Sequence, residues 1–345
     1  LLYHLATLQA LSNSEDIVTS LDQAEQLAHD VGDRALAALA IFWRGTLRCI
    51  TGDRRGGLPD METGVMRRLT LTSAERATIP TLPIPHTLRD DTDGQGLLVQ
   101  WLATVGRYTQ AREIGERALI EAAQQRDAPF IGDILLGLAQ VYAGLGQAQK
   151  ARATFAQAHR AFHAIGHHFM AGITASNELR WVFPYIADDP VTVSRLLNEM
   201  SAAMDGPTES PSEYLRRYPR MIRQLIGGAW QQGREQADVP GAPFGFQQTA
   251  WQLLAPILRA QGDADAAREI VRTVLPDGPL TTPGNAWIPC GLMALQLGAA
   301  LALDAGDTVA MREWLAAHDT WVTWSASPLG RAEGALGWVS YHRAT

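Results

Sequence analysis

The sequence predicts an all-α fold in which antiparallel helix pairs stack one on the next, about eight units in all. Three observations predict it. Apolar residues recur at helical rather than alternating spacing along nearly the whole chain, with no run of β-branched residues at period two. Gly, Pro and Asp cut the chain into pieces of roughly 12 to 20 residues. Short turns built on Gly recur, each after an apolar helix and before a helix with small residues at fixed offsets.

The turns come in order as Thr51-Gly52-Asp53, Val105-Gly106-Arg107-Tyr108, Leu145-Gly146-Gln147, Gln261-Gly262-Asp263 and Ala305-Gly306-Asp307. Before the first, Gly45 holds the small position of a leading helix (A), and Gly57 and Gly64 hold those of the following helix (B). The unit at Gly106 keeps Leu98, Leu102, Tyr108, Ala111 and Ala118. The clearest unit reads Leu135-x-x-Leu138-Ala139-x-x-Tyr142-x-x-x-Gly146, then Ala151-x-x-x-Phe155-x-x-Ala158. Here Ala139 faces Ala151 and Ala158, which lets the two helices approach closely. Leu138, Tyr142 and Phe155 fill the space between successive pairs, and Gly146 takes the left-handed position just past the helix end.

Two degenerate units follow in the middle, with turns near Ala187-Asp188-Asp189-Pro190 and Gly227-Gly228. The unit at Gly262 keeps Trp251, Leu254, Ala255, Leu258 and Ala267. From Gly146 onward the turns recur about every 34 to 44 residues. Longer Pro/Gly-rich connections are expected at 79–96, 205–212, 238–245 and 276–289, as loops on one rim or as bends in the stack. The last segment, Leu329–Thr345, reads as a helix A without its partner. Neither end shows the polar cap with which a stacked array closes, so the segment is expected to be truncated at both ends.

The large-large-small-aromatic order of Leu135, Leu138, Ala139 and Tyr142, with Gly146, Ala151, Phe155 and Ala158 after it, resembles the tetratricopeptide repeat. The likeness covers essentially residues 1–345 and implies one right-handed α-superhelix, a solenoid. Segments such as Gly262-Asp-Ala-Asp-Ala-Ala267-Arg-Glu and Asp304-Ala-Gly306-Asp307 resemble the repeat region of large LuxR-family (MalT-like) regulators. That likeness implies a region sensing an inducer or a partner, set between a nucleotide-binding ATPase module and a helix-turn-helix DNA reader. Neither flanking module is visible in this sequence, so ATP and DNA binding are implied only for a longer protein.

Composition narrows the chemistry. With 46% hydrophobic and 19% charged residues, the chain can bury a core. Lys and Arg total 29 against 36 Asp and Glu, a net charge of −7, which argues against a nucleic-acid surface. Cys49 and Cys290 are the only two cysteines, too few for a disulfide framework or a Cys-based zinc site, and they fit a reducing compartment. The single lysine, Lys150, lies in Gly146-Gln-Ala-Gln-Lys150-Ala151, which is not a phosphate-binding loop. Leu1 opens an apolar stretch with no basic n-region and no small-residue cleavage site, so no signal peptide and a cytoplasmic location are expected. Trp287–Leu303 is uncharged but contains Pro289 and Gln296, and reads as a buried helix rather than a membrane span.

His159, His163 and His167 lie four apart, a spacing suited to a metal on a continuous helix. Gly166 ends that helix, however, and no carboxylate or Cys lies among them, so neither metal nor cofactor is expected. No Gly-x-Ser-x-Gly elbow occurs, and Glu113, Glu116 and Glu121 read as exposed partners of Arg112 and Arg117. Trp314, Trp321 and Trp324 line one stripe, read as core, with an aromatic shelf for a sugar or peptide as the alternative.

The sharpest candidate surface is Asn177, Glu178, Arg180, Trp181 and Tyr185 on one helix A, extended by Arg216, Arg217 and Tyr218 on the next. Helix A residues would line the concave face, where a polar and aromatic mixture suits an interaction groove, and Arg could grip a carboxylate. On this reading Arg180 and Trp181 can be removed without loss of fold. The expected function is therefore a non-catalytic interaction or ligand-sensing module of a bacterial signal-responsive regulator, taking a protein or peptide segment, or a small-molecule inducer. The alternatives are a self-association scaffold beside a cyclase, kinase or peptidase module, with homo-oligomers expected, and an all-α enzyme with a toroidal cleft.

Overall fold

The structure, a computed structural model, describes residues 16–76, 78, 94–125, 128–186, 188–204, 213–237 and 244–345. Among them are seventeen α-helices and no strand. The first are α1 (Asp16–Asp30), α2 (Arg34–Thr51), α3 (Arg54–Leu69), the single turn α4 (Ser73–Arg76), α5 (Gln95–Thr104) and α6 (Tyr108–Gln125). Next come α7 (Ala128–Gly144), α8 (Ala148–Ala164), α9 (His168–Ile186), α10 (Pro190–Met204), α11 (Glu213–Ile226) and α12 (Trp230–Ala237). The chain finishes with α13 (Phe244–Ala260), α14 (Ala264–Val274), α15 (Ile288–Asp304), α16 (Thr308–Ser325) and α17 (Arg331–Ala344). Packing runs neighbour to neighbour: α2 on α3, α5 on α6, α7 on α8, α9 on α10, α11 on α12, α13 on α14 and α15 on α16.

One dipeptide geometry makes these reversals. At the α7–α8 turn Gly146 has φ +75°, its N–H donates to the Ala143 carbonyl at 3.0 Å, and the Gln147 N–H reaches the Tyr142 carbonyl at 2.8 Å. Those two bonds satisfy carbonyls that the end of a helix otherwise leaves bare. The same pair of bonds recurs at Gly32, Gly106, Gly166, Gly228, Gly262 and Gly306. Where Asp follows Gly, the next helix begins at once. The carboxylates of Asp33, Asp53, Asp263 and Asp307 accept from the N–H groups of Leu36, Gly56, Ala266 and Ala310. A Gly-Asp dipeptide thus stops one helix and caps its successor.

The expected packing positions are buried. Leu138, Ala139, Tyr142, Ala151, Phe155 and Ala158 all lie in one core that runs from Leu21 to Trp321. In the first pair, a Cβ on Gly45 would run into the Gly57 carbonyl, and a Cβ on Gly57 into that of Gly45. One on Gly64 would come within 2.8 Å of the Phe42 backbone. Helices α2 and α3 therefore touch backbone to backbone. Replacing Gly57 by Ala is expected to lower stability by about 1–3 kcal/mol through overpacking, read from the denaturant midpoint.

Two of the expected connections, 79–96 and 238–245, are shorter than the sequence implied, a third, 205–212, falls outside the described residues, and the fourth is not a loop on the rim. Helix α5 already starts at Gln95 and α13 at Phe244, while 79–93, 205–212 and 238–243 lie outside the described residues. The fourth, 276–289, carries a 3-10 turn at Gly278–Leu280 and then dives inward: Ala286, Trp287 and Ile288 are all buried. Asn285 reaches the start of α3, where its side-chain oxygen accepts from the backbone N–H groups of Arg54 at 2.9 Å and Arg55 at 3.3 Å. Helix α13 also touches α2. Distant units are tied together, which a purely open stack would not require.

The tryptophan stripe resolves as core with one exception. Trp314 packs over Gly298, and Trp321 over Gly291, so large residues seven apart on α16 fill notches seven apart on α15. Trp324 stays 41% exposed and lies against the Gly106 turn. Beside them His318 is fully buried, its Nε2 3.0 Å from Gln296 Nε2 on α15 and its ring under Gly330 and Gly334 at the start of α17. Burial pushes its pKa down, against the opposing pull of Asp319 on its own helix and Glu333 on α17. The folded chain therefore holds this ring neutral, whereas an unfolded His titrates near ~6.5. As pH falls below about 6.5 the unfolded chain takes a proton that the fold resists, so stability drops toward acid. Melting curves between about pH 7 and pH 5 are expected to fall less steeply for His318→Gln than for the wild type.

Candidate functional site: a cationic cleft between three helices

Helices α9, α11 and α13 each begin a pair, and their facing residues line a narrow, partly open cleft of about 40 Å³. Leu179, Arg180, Phe183 and Pro184 come from α9, Tyr218 and Ile222 from α11, and Thr249, Gln252 and Leu253 from α13. Two helix prolines serve this wall. Pro184 and Pro256 have no N–H, so the carbonyls one turn earlier, at Arg180 and Gln252, are freed from the ordinary helical bond.

Behind the cleft lies an aromatic stack. Trp181 is 1% exposed and meets the Trp287 ring edge to face at 5.6 Å, and Tyr108 meets Trp181 likewise at 6.5 Å. The Arg180 guanidinium sits 4.0 Å over the Trp287 ring, a cation–π arrangement. On the far side, Arg54 is 1% exposed, donates to Gln248 Oε1 at 3.0 Å and to the Asn285 carbonyl, and lies 5.6 Å from the Trp101 ring centre. Gln248 Oε1 also accepts from the Trp287 N–H at 3.3 Å, so a single amide joins Arg54 to the inserted segment.

The electrostatics are lopsided. Burial, followed by the charge of Arg180, pushes the Arg54 pKa down to about 10. Burial likewise lowers that of Arg180, which stays charged at neutral pH. The Arg180 Nε is shielded from solvent and has no hydrogen-bond partner, and among the described residues no carboxylate pairs with this side chain. The nearby Cys290 thiol is pushed up to about 12 by burial, as is Cys49, so both stay protonated. Tyr218 is also raised to about 12, chiefly by burial.

The residues singled out in the sequence part company here. Arg180 and Tyr218 do converge on the cleft. Trp181 does not face an open groove, because the inserted Trp287 fills the space in front of it. Asn177 accepts from Gln140 at 3.0 Å and donates to the Ile173 carbonyl, and Tyr185 donates to the Ala143 carbonyl at 2.9 Å; both fasten α9 to α7. Glu178 points the other way, into a charged furrow between α8, α9 and α10, 3.9 Å from Arg152 and 3.7 Å from Arg195, with burial raising its pKa. Arg217 lies on α11 outside the cleft lining, and the Arg216 side chain falls outside the described residues. The histidines do not converge either: His163 stacks near His159 at 6.2 Å and meets His168 at 5.3 Å, while His167 turns onto Phe162. Glu116 accepts a hydrogen bond from Tyr142 at 3.0 Å instead of standing in an exposed ion pair.

Sequence reasoning missed Thr249, Gln252 and Trp287. A signal was present for the first two, since Gln247-Gln248-Thr249 and Gln252 interrupt an otherwise apolar helix A. Compared with known proteins, the sequence matches no family model, and no curated protein matches it.

The geometry separates two neighbouring residues by role. Trp181→Ala is expected to destabilise by about 3–5 kcal/mol, as loss of a buried aromatic does. Arg180→Met is expected to stay within about 1 kcal/mol of the wild type or to exceed it, because removing an uncompensated enclosed charge offsets the lost stacking. Urea titration of both variants checks this.

Proposed function

We propose that this chain is a non-catalytic, ligand-sensing repeat module of the tetratricopeptide kind, belonging to a cytoplasmic bacterial transcriptional regulator. Its ligand is a small molecule held between α9, α11 and α13. The observation that carries this reading is Arg180: its Nε is shielded from solvent and unpartnered, no carboxylate among the described residues pairs with it, and it lines a cleft with five apolar neighbours. Enclosed charges are unfavourable unless paired, and a chain of net charge −7 has carboxylates to spare for that purpose. Filling of the neighbouring space by Trp181 and Trp287 favours a small molecule over a peptide, which needs an open groove. The protonated, buried thiols support binding rather than nucleophilic chemistry.

The same contacts supply a means of reporting occupancy. Arg180 stacks on Trp287, two residues after Asn285, and Asn285 caps the start of α3. A ligand that alters the charge balance at Arg180 acts on the join between the first and seventh helix pairs. It would bias an attached module by its difference in affinity for two arrangements of that join.

The test is a thermal-shift screen of a metabolite library against the wild type and against Leu253→Trp and Gln252→Trp, each of which fills the cleft. At least one compound is expected to raise the wild-type midpoint while leaving unchanged whichever filled variant keeps its helical circular dichroism. A library with no compound whose effect depends on an open cleft overturns the reading.

A further inference from the structure

We infer that the furrow between α8, α9 and α10 is a second site, which takes a linear ω-amino acid with its ammonium on Glu178 and its carboxylate on Arg160. Its methylenes lie along the small side chains between those two residues.

Glu178 is buried, yet among the described residues its carboxylate accepts no hydrogen bond. The nearest cations stand off. Arg152 Nε is 3.9 Å and Arg195 Nη2 3.7 Å from Oε1, about 1 Å beyond a charge-assisted bond. Each guanidinium is engaged elsewhere: Arg152 donates to the Thr192 hydroxyl at 3.2 Å, and Arg195 to Glu199 at 2.8 Å. A carboxylate in this state has given up water without gaining donors, which is costly. It lines a furrow of about 370 Å³, within the range of ligand sites. An ammonium seated there supplies the missing donors.

The middle of the furrow is open because its side chains are small: Ala153 and Ala156 on α8, Thr174 and Ala175 on α9. Thr174 already donates its hydroxyl to the Met170 carbonyl at 2.8 Å, so this stretch suits hydrocarbon. At the other end Arg160, next to His159, lines the furrow and has no hydrogen-bond or ion-pair partner among the described residues. The edge of its guanidinium is free to take a carboxylate through two parallel bonds.

Charge and spacing together select the ligand. A bare amine would meet Arg152, Arg160 and Arg195, and a bare anion would meet Glu178 and Glu199. A molecule with one charge of each sign sets each against its complement. Arg152 marks the Glu178 end of α8, and Arg160 stands eight positions on, about 12 Å along the helix axis. An α-amino acid, whose two charged groups share one carbon, is too short for that length. A chain of several methylenes, met by the flexible stem of Arg160, spans it.

The experiment is calorimetry on the whole chain at low salt and neutral pH. Its probes are γ-aminobutyrate, δ-aminovalerate and ε-aminocaproate, with glycine, pentylamine, pentanoate and inorganic phosphate for comparison. The best ω-amino acid is expected to bind at least about tenfold more tightly than glycine, pentylamine or pentanoate, the size of one charge-assisted pair. Arg160→Gln, at an exposed position, should reduce it to the level of the amine, and Glu178→Gln to that of the acid. Ala156→Leu, which fills the furrow, should abolish binding while helical circular dichroism is retained; where Glu178→Gln or Ala156→Leu fails to fold, Arg160→Gln decides. Glycine binding as tightly as the longer molecules overturns the proposal. Pentanoate or phosphate binding as tightly, with loss in Arg160→Gln, overturns it in favour of a simple anion site. Pentylamine binding as tightly overturns it in favour of an amine site. Unchanged affinity in Arg160→Gln overturns it too, as does absence of binding below about 10 mM.

Discussion

The arrangement depends on one helix start being completed from the far end of the sequence. The first turn of a helix leaves backbone N–H groups without partners, and in α3 Asp53 serves only one of them. The Asn285 side chain serves two more, and its carbonyl takes the Arg54 guanidinium. With Asn285 held there, Trp287 lies two residues on, packed against Trp181 and Arg180. The cleft walls, the stacked cation and the covered face of α9 all follow from that placement.

What could be read in the sequence was local. Gly146, Gly262 and Gly306 mark turns because a residue just past a helix end adopts positive φ, and glycine does so without a Cβ in the way. Ala139, Ala151 and Ala158 mark a close helix contact because small residues on one helix face, two turns apart at Ala151 and Ala158, leave room for a partner. These rules act over a few residues, and they placed the turns and the buried stripes. The closure of 285–288 onto α3 is a pairing across 231 positions, and no periodicity within either segment records it. For that reason Trp181 read as groove lining. An aromatic residue on the face of a helix A has the same sequence context whether water or Trp287 lies in front of it.

The candidate site divides along the same line. Arg180 and Tyr218 were legible as polar and aromatic residues on successive leading helices, and both reach the cleft. Glu178 shares that pattern yet faces elsewhere, because residues two apart on a helix point to different sides, and Asn177 is taken up by its bond with Gln140. Arg54 gave no signal at all. It follows a Gly-Asp turn where an exposed arginine is ordinary, and only the fold encloses it between Trp101 and Gln248.

The tie between Asn285 and α3 also changes how the stack should come apart. In an open row of repeats each unit rests on its two neighbours, so terminal units fray independently and the rest persists. Here the first pair leans on residues beside the seventh, and loosening either withdraws support from the other. Such a tie favours melting of the two joined pairs in one cooperative step over the piecemeal melting of an open row.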